Sequence, residues 1–289
     1  MTAKEPTVAV VIPAHDEEDS LPFALRSLRD QTRPPDEVVV VDDGSTDGTP
    51  GVCEEFGVRC IRQRQAGPAA ARNRGVREVR SDFVSLLDAD DWYSPDKLEK
   101  SLESILELGA LALGTDAWVV AGDQVLGAKN GDRRIPYAIT LERLLKDNPL
   151  VCSTMVFRRE AFLRAGGFDE DPRLISTEDY DLWIRFSRVE PIAYLPRALT
   201  FYRTSEGSLG TNERFLIGVD RICEKLAETH GSEPHFRRLM DRRRARSRLD
   251  LAWDRLAEGR KAEARALMRE ARALGRPWEA IRMWVRSLF

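Results

Sequence analysis

Residues 7–49 read "TVAVVIPAHDEEDSLPFALRSLRDQTRPPDEVVVVDDGSTDGT", and this stretch decides the fold. It opens on a β-branched run, "TVAVVI" (7–12), and closes on another, "EVVVV" (37–41), each passing into a polar loop. Runs that are apolar on both faces are what strands buried in a parallel sheet look like. Between them Leu21, Ala24, Leu25 and Leu28 recur at helical spacing, with Ser20 as candidate N-cap and "RPPDE" as the stop. The unit is therefore strand, helix, strand. Outward from it come a helix over Thr49 to Phe56, a strand in "VRCIRQ", a helix from Pro68 in "GPAAARNRGVREV" and a strand in "FVSLL". Alternation of this kind predicts a parallel sheet with right-handed crossovers. The polar clusters "PAHDEE", "DDGSTDGT" and "DADDW" then fall at the C-terminal ends of successive strands, the edge where open α/β sheets bind ligands.

The sharpest of these clusters is the last. Phe83 to Leu87 run straight into Asp88, Asp90 and Asp91, with only Ala89 between the carboxylates. Like charges so close raise one another's pKa unless a cation or hydrogen-bond donors offset them. The cluster calls for a partner.

The chain has 289 residues, 42% hydrophobic and 32% charged, a length that fits one large soluble domain or a domain plus an appendage. Cys53, Cys60, Cys152 and Cys223 form no CxxC pair and suggest neither a zinc site nor a disulfide framework, so reduced thiols in a cytosol are expected. No apolar run reaches the roughly 18 residues that a bilayer span needs, and the first residues do not read as a signal peptide. The net charge of -3 conceals an asymmetry, because beyond Phe236 basic residues outnumber acidic ones roughly two to one.

After Trp92 the pattern is less regular. A helix is expected near Pro95 to Leu108, then a strand pair in "AWVVAGDQVL" turning at Gly122 and Asp123, and a helix near Leu141 to Lys146. "STMVFRREAFLRAGGF" is apolar without a clear period, and "EDYDLWIRFSR" is a helix. From Glu213 onward only helices are expected, including a hairpin about Gly259. The division expected is an α/β domain over 1–212 and a helical C-terminal extension over 213–289.

With Asp43, Asp88 and Asp90 in place, the chain resembles the family 2 glycosyltransferases, enzymes of the GT-A nucleotide-diphospho-sugar fold. Residues 8–49 resemble that family's opening signature, "AAARNRG" its second, and "DADD" carries its DXD motif. "GGFDE" followed by "TEDYDLWIRF" is similar to its acceptor-side pattern. The resemblance covers about residues 7–205. It implies a metal-dependent, inverting transfer from a nucleotide-diphosphate sugar to an acceptor hydroxyl, in bacterial surface polysaccharide or glycoconjugate synthesis. By the same resemblance Asp90 is the direct ligand of Mn2+ or Mg2+, and Asp88, with Ala89 beside it, contacts the ribose or a metal-bound water. Pro13 and Ala14 lie along the nucleotide with Glu17 assisting, Asp43 bonds the base, and Arg72 and Asn73 flank the diphosphate or base. Asp179 is the family's general base. Glu178 is an acceptor-side or helix-end carboxylate, and Trp183 either floors the acceptor pocket or belongs to the core. Helix capping and turn formation are the structural alternatives for Asp43, Arg72 and Asn73.

The chemistry is consistent with that assignment. Breaking the bond from an anomeric carbon to a diphosphate leaves negative charge that a hard cation stabilises, and such cations favour one or two carboxylates plus phosphate oxygens. A base must also take the acceptor's proton. Relatives often carry Tyr-Arg-x-His late in the domain. Here the stretch is Tyr202, Arg203, Thr204, Ser205, without the His. A non-catalytic sugar-nucleotide-binding scaffold is the alternative function. A nucleotidyltransferase is disfavoured because "PAHDEE" is acidic where such enzymes carry a Gly-rich basic loop. Nucleic acid is disfavoured too, since the arginine-rich tail has regular acidic partners. "PWEAIRMWVRSLF" sets Trp278, Ile281, Trp284, Val285 and Leu288 against Arg282 and Arg286, which suits either a peripheral contact with the inner face of the membrane or packing on the protein itself. The acceptor expected is a saccharide, free or lipid-linked, and the location cytoplasmic.

Overall fold

The computed structural model describes residues 5–131, 133–204 and 210–275. In chain order the strands are β1 (Val8–Ala14), β2 (Glu37–Asp42), β3 (Arg59–Arg62), β4 (Phe83–Leu86), β5 (Trp92–Tyr93), β6 (Ala112–Ala121), β7 (Gln124–Ala128), β8 (Ala138–Ile139), β9 (Val156–Arg158) and β10 (Ile192–Arg203). The helices are α1 (Leu21–Arg29), α2 (Thr49–Phe56), α3 (Pro68–Glu78), α4 (Lys97–Glu107), α5 (Leu141–Lys146), α6 (Arg159–Arg164), α7 (Glu178–Ser187), α8 (Asn212–His230), α9 (Pro234–Ala257) and α10 (Lys261–Ala273).

The sheet runs β3-β2-β1-β4-β9-β6-β10-β5, with β7 paired to β6 and β8 to β10. The first four strands are parallel, as their alternation with α1, α2 and α3 predicts. Beyond β4 the sheet is mixed. β9 lies antiparallel between β4 and β6, while β10 runs parallel to β6. The architecture is an α/β sheet flanked by helices, with an all-helical C-terminal part.

Apolar burial explains the first half. Val8, Val10 and Ile12 on one face of β1 join Leu21, Ala24, Leu25 and Leu28 of α1 in one buried cluster. On the other face α3 comes in close: a Cβ built on Gly75 would lie 2.3 Å from a methyl of Val11. That approach accounts for the glycine ending "AAARNRG". The hairpin expected about Gly122 forms, with Ala121 opposite Gln124 and Gly122 at φ 56°. Ser20 stands at the start of α1, but its hydroxyl donates to the Glu17 carboxylate and makes no bond to the helix backbone, so the expected cap is not made.

The chain divides into two compact units. One comprises Met1–Thr140, Pro149–Glu170 and Leu182–Gly207 and holds the sheet. The other comprises Leu141–Asn148, Asp171–Asp181 and Ser208–Phe289. Within it Ala245, Leu249 and Ala252 of α9 pack on Ala264, Met268 and Ala271 of α10.

Candidate active site

Within the sheet unit, the loop after β1 is fixed by the loop after β2. The Asp43 amide donates to the Ala14 carbonyl at 2.8 Å, extending the β1–β2 ladder past Pro13. Asp16 adopts a left-handed conformation, φ 56°, and its carboxylate accepts from the Thr46 amide at 2.7 Å. Aspartate tolerates that region because its short polar side chain bonds locally. Asp42 orders the following turn through the Ser45 amide at 2.8 Å.

The Asp43 carboxylate accepts from Gln63 Nε2 and from the Ala66 and Gly67 amides, at 2.7, 2.9 and 2.7 Å. It is buried and ties the segment that opens α3 to the end of β2. Asn73, inside α3, donates to the Phe168 carbonyl and to Glu170 at 2.9 and 2.7 Å, and its side-chain oxygen accepts from the Phe168 amide at 2.8 Å. Asp43 thus ties down the start of α3, close to the capping role held open for it, whereas Asn73 neither caps a helix nor makes a turn but couples "AAARNRG" to "GGFDE". Arg72 reaches both Asp88 and the Phe168 ring. Its Nη2 lies 2.7 Å from Asp88 Oδ1, and its guanidinium is 5.5 Å from the centre of the Phe168 ring.

Beyond β4 the carboxylates gather. Asp88 keeps a quarter of its side chain exposed and pairs with Arg72, while Ala89 is buried beside it. Burial pushes Asp90 up to about 6, assisted by the negative charges of Asp88 and Glu17. Asp91 has no exposed surface, and burial with the charges of Asp90 and Asp88 raises it well above the carboxylate range. Glu17 is also raised, first by burial and then by Asp88, against the lowering effect of the Ser20 hydroxyl. The ends of β1 and β4 thus bring Glu17, Asp88, Asp90 and Asp91 into one negative field. Among the described residues no group of three or more His, Cys, Asp and Glu side chains is placed to hold a metal ion by itself. An open arrangement suits a cation of the Mg2+ or Mn2+ type, which one or two carboxylates hold while phosphate oxygens and water fill the other positions.

Arg203 is the residue that sequence reasoning undervalued. Its amide donates to Asp91 Oδ1 at 2.8 Å, and its Nε donates to the Asp90 carbonyl at 3.2 Å. Its guanidinium sits 5.2 Å from the Trp92 ring and 5.4 Å from Phe23, an attractive placement for a cation. The only signal in the sequence was its place in "FYRT", two residues before the position of the absent His. That position, Ser205, lies outside the described residues.

On the acceptor-side pattern, Trp183 has no exposed surface, and its ring stands edge-on to Phe168 at 6.4 Å. Its placement is that of a core residue, not the floor of an open pocket. In the other unit, Glu178 is buried and Asp179 is half-buried, with a side-chain oxygen accepting from the Tyr180 amide at 2.6 Å. Both sit in the first turn of α7, where carboxylates meet the positive end of the helix dipole.

Residues 9–166 match the model of glycosyl transferase family 2. The chain is 28% identical over 222 residues to the Bacillus subtilis glycosyltransferase TuaG, whose name provisionally assigns it to teichuronic acid biosynthesis. That alignment covers 74% of this chain and 85% of TuaG. Among solved structures, S. aureus TarS 1-349 in complex with UDP-GlcNAc superposes with a TM-score of 0.69 at 20% identity, over 91% of this chain and 79% of that one. In a longer TarS structure the chain spans 43% of the length. The mannosyltransferase PcManGT from Pyrobaculum calidifontis, in complex with GDP-Man and Mn2+, gives 0.62 at 19% identity, over 98% and 79%. At these identities the structural likeness is one of fold.

Proposed function

Because the chain belongs to glycosyl transferase family 2 and is a glycosyltransferase, we propose that it moves the sugar of a nucleoside-diphosphate sugar onto an acceptor hydroxyl, with inversion and with a divalent cation bound. The observation that carries this reading is the meeting of Glu17, Asp88, Asp90 and Asp91 at the ends of β1 and β4, the ligand edge of the sheet. Neighbours of the same fold bind UDP-GlcNAc in one case and GDP-Man with Mn2+ in the other, which supports this class of donor.

Asp90 is assigned as the cation's ligand, with Asp88 held toward the donor by Arg72. When bound, the cation supplies Lewis-acid stabilisation of the diphosphate leaving group. Arg203, fixed on Trp92 and Phe23, adds a permanent positive charge beside Asp90. Pro13 and Ala14 border the nucleotide, and the Asp43 carboxylate keeps the loop from Gln63 to Gly67 in place beside it. Asp179 is assigned as general base. It takes the acceptor's proton as the acceptor oxygen bonds the anomeric carbon, while the bond from that carbon to the diphosphate oxygen breaks and its electron pair leaves with the nucleoside diphosphate. The acceptor proposed is a saccharide, free or lipid-linked, in surface-polysaccharide synthesis, the setting named for TuaG. The enzyme would act in the cytoplasm.

The experiment is a thermal-shift panel of UDP- and GDP-sugars with Mn2+ and with EDTA. A ligand that binds only the folded state at 100 times its Kd adds about 2.7 kcal/mol. One or more sugars should raise Tm with Mn2+ and lose the effect in EDTA. No shift with any sugar, or an equal shift in EDTA, would sink the metal-dependent donor reading.

A further inference from the structure

The segment that carries Asp179 is held by the C-terminal helices. In the helical unit, Lys225 of α8 pairs with Asp181 at 2.6 Å, with Asp181 almost wholly buried. Gly218 of α8 lies so close to Thr177 that a Cβ there would fall 1.9 Å from the threonine hydroxyl. Tyr180 is fixed at both ends of its side chain. Its hydroxyl donates to the Leu144 carbonyl at 2.7 Å, and its ring stacks against Phe215 with centroids 6.5 Å apart. The buried guanidinium of Arg243, from α9, lies 5.1 Å from the Tyr180 ring and 4.9 Å from Phe215. The amide of this same Tyr180 bonds the Asp179 carboxylate.

Two physical points make this more than packing. Ser176, just upstream, has φ 74°, a conformation that costs a non-glycine residue about 1–3 kcal/mol and persists only where its surroundings enforce it. A base must also be held within a fraction of an ångström and about 10–20° of its productive geometry. We propose that α8 and α9 position the general base: Lys225, through Asp181, and Arg243, through Tyr180, fix the first turn of α7 so that the Tyr180 amide sets the direction of the Asp179 carboxylate. The proposal rests on the reading of Asp179 as the base. Lys225 and Arg243 act through other residues and are positioning residues, not catalytic ones. The helical tail is then part of the catalytic apparatus.

The test uses the full chain and the nucleotide sugar that the thermal panel selects, with water as acceptor and released nucleoside diphosphate as the readout. Lys225→Met and Tyr180→Phe should each lower kcat about tenfold or more, with donor KM close to that of the native chain, when assayed well below their own Tm, which the unpaired buried groups will lower somewhat. Lys225→Arg should restore turnover. If Lys225→Met proves unstable, Tyr180→Phe and Lys225→Arg carry the comparison. Asp179→Asn is measured beside them, and adding Lys225→Met to it should cost nothing further, because residues that act through one group are not additive. If Asp179→Asn abolishes turnover while Lys225→Met and Tyr180→Phe keep native kcat, the positioning role is wrong and the base assignment stands. If Asp179→Asn turns over normally, the base assignment itself is wrong and this inference goes with it. Losses in kcat that merely track a falling Tm, or that add in full to Asp179→Asn, would also overturn the positioning role.

Discussion

At the residue scale, a buried polar group shows its role by where its hydrogen bonds go. Asn73 directs its amide to Phe168 and Glu170, so Asn73→Ala should leave a buried amide and carbonyl unpaired. The expected loss is about 1–3 kcal/mol, measured by urea denaturation, with donor affinity less affected than stability. Asp90→Ala should do the reverse. It relieves charge repulsion and so leaves Tm unchanged or raised without ligand, while the Mn2+-dependent donor shift disappears; unchanged metal dependence in that variant would refute Asp90 as ligand. Lys97 was not singled out from sequence, yet it is fully buried, with Nζ bonded to the Thr154 carbonyl at 2.7 Å and to Ser101 at 3.1 Å. Burial lowers it from 10.5 to about 7. A lowered lysine pKa means that its stability contribution is present above about 10.5 and is lost as pH falls toward 7. Native stability should therefore gain up to about 1.4 kcal/mol per pH unit over Lys97→Met between pH 7 and pH 9.5. Parallel Tm curves for the two proteins would contradict the shifted lysine.

At the scale of elements, close approaches decide which substitutions are tolerated. α3 packs on β1 through Gly75, and a methyl added there must displace Val11. Gly75→Ala should cost about 1–3 kcal/mol as an overpacked contact, even though alanine is the better helix former. A neutral or stabilising result would mean that α3 shifts freely. β10 carries Pro196 within its run, where proline usually demotes a strand. The structure accommodates it with register shifts between Leu195 and Ala198 and between Ala198 and Thr200. That irregular strand delivers Arg203 to Asp90 and Asp91.

At the scale of the whole molecule, the basic tail reads differently once folded. Arg244 and Arg248 pair with Asp220, Arg246 with Asp250, and Arg255 with Glu213 and Glu258. These arginines are thus partnered within the helical unit itself. Among the described residues no helix is long and apolar enough to cross a membrane. Trp278 to Leu288, the amphipathic stretch, lies outside the described residues. If that stretch binds membrane, the full chain should co-sediment with anionic liposomes in a salt-sensitive way, and a chain ending at Gly275 should not. Equal sedimentation of the two would remove the membrane role of that stretch.

The sequence by itself determined the parallel half of the sheet, the three strand-end clusters and the acidic character of the candidate site. Each rests on a local signal: a β-branched run, a helical period, carboxylates adjacent in the chain. Only the tertiary structure decided what depends on distant partners. It placed β9 between β4 and β6, brought Arg203 to Asp91 across more than a hundred residues, and directed Asn73 to Phe168. It also joined Asp171–Asp181 to the helices from α8 onward as one compact unit. None of these has a period or spacing to read, because the free energy that fixes them comes from burial and from pairing buried polar groups, which exist only once the chain has closed on itself.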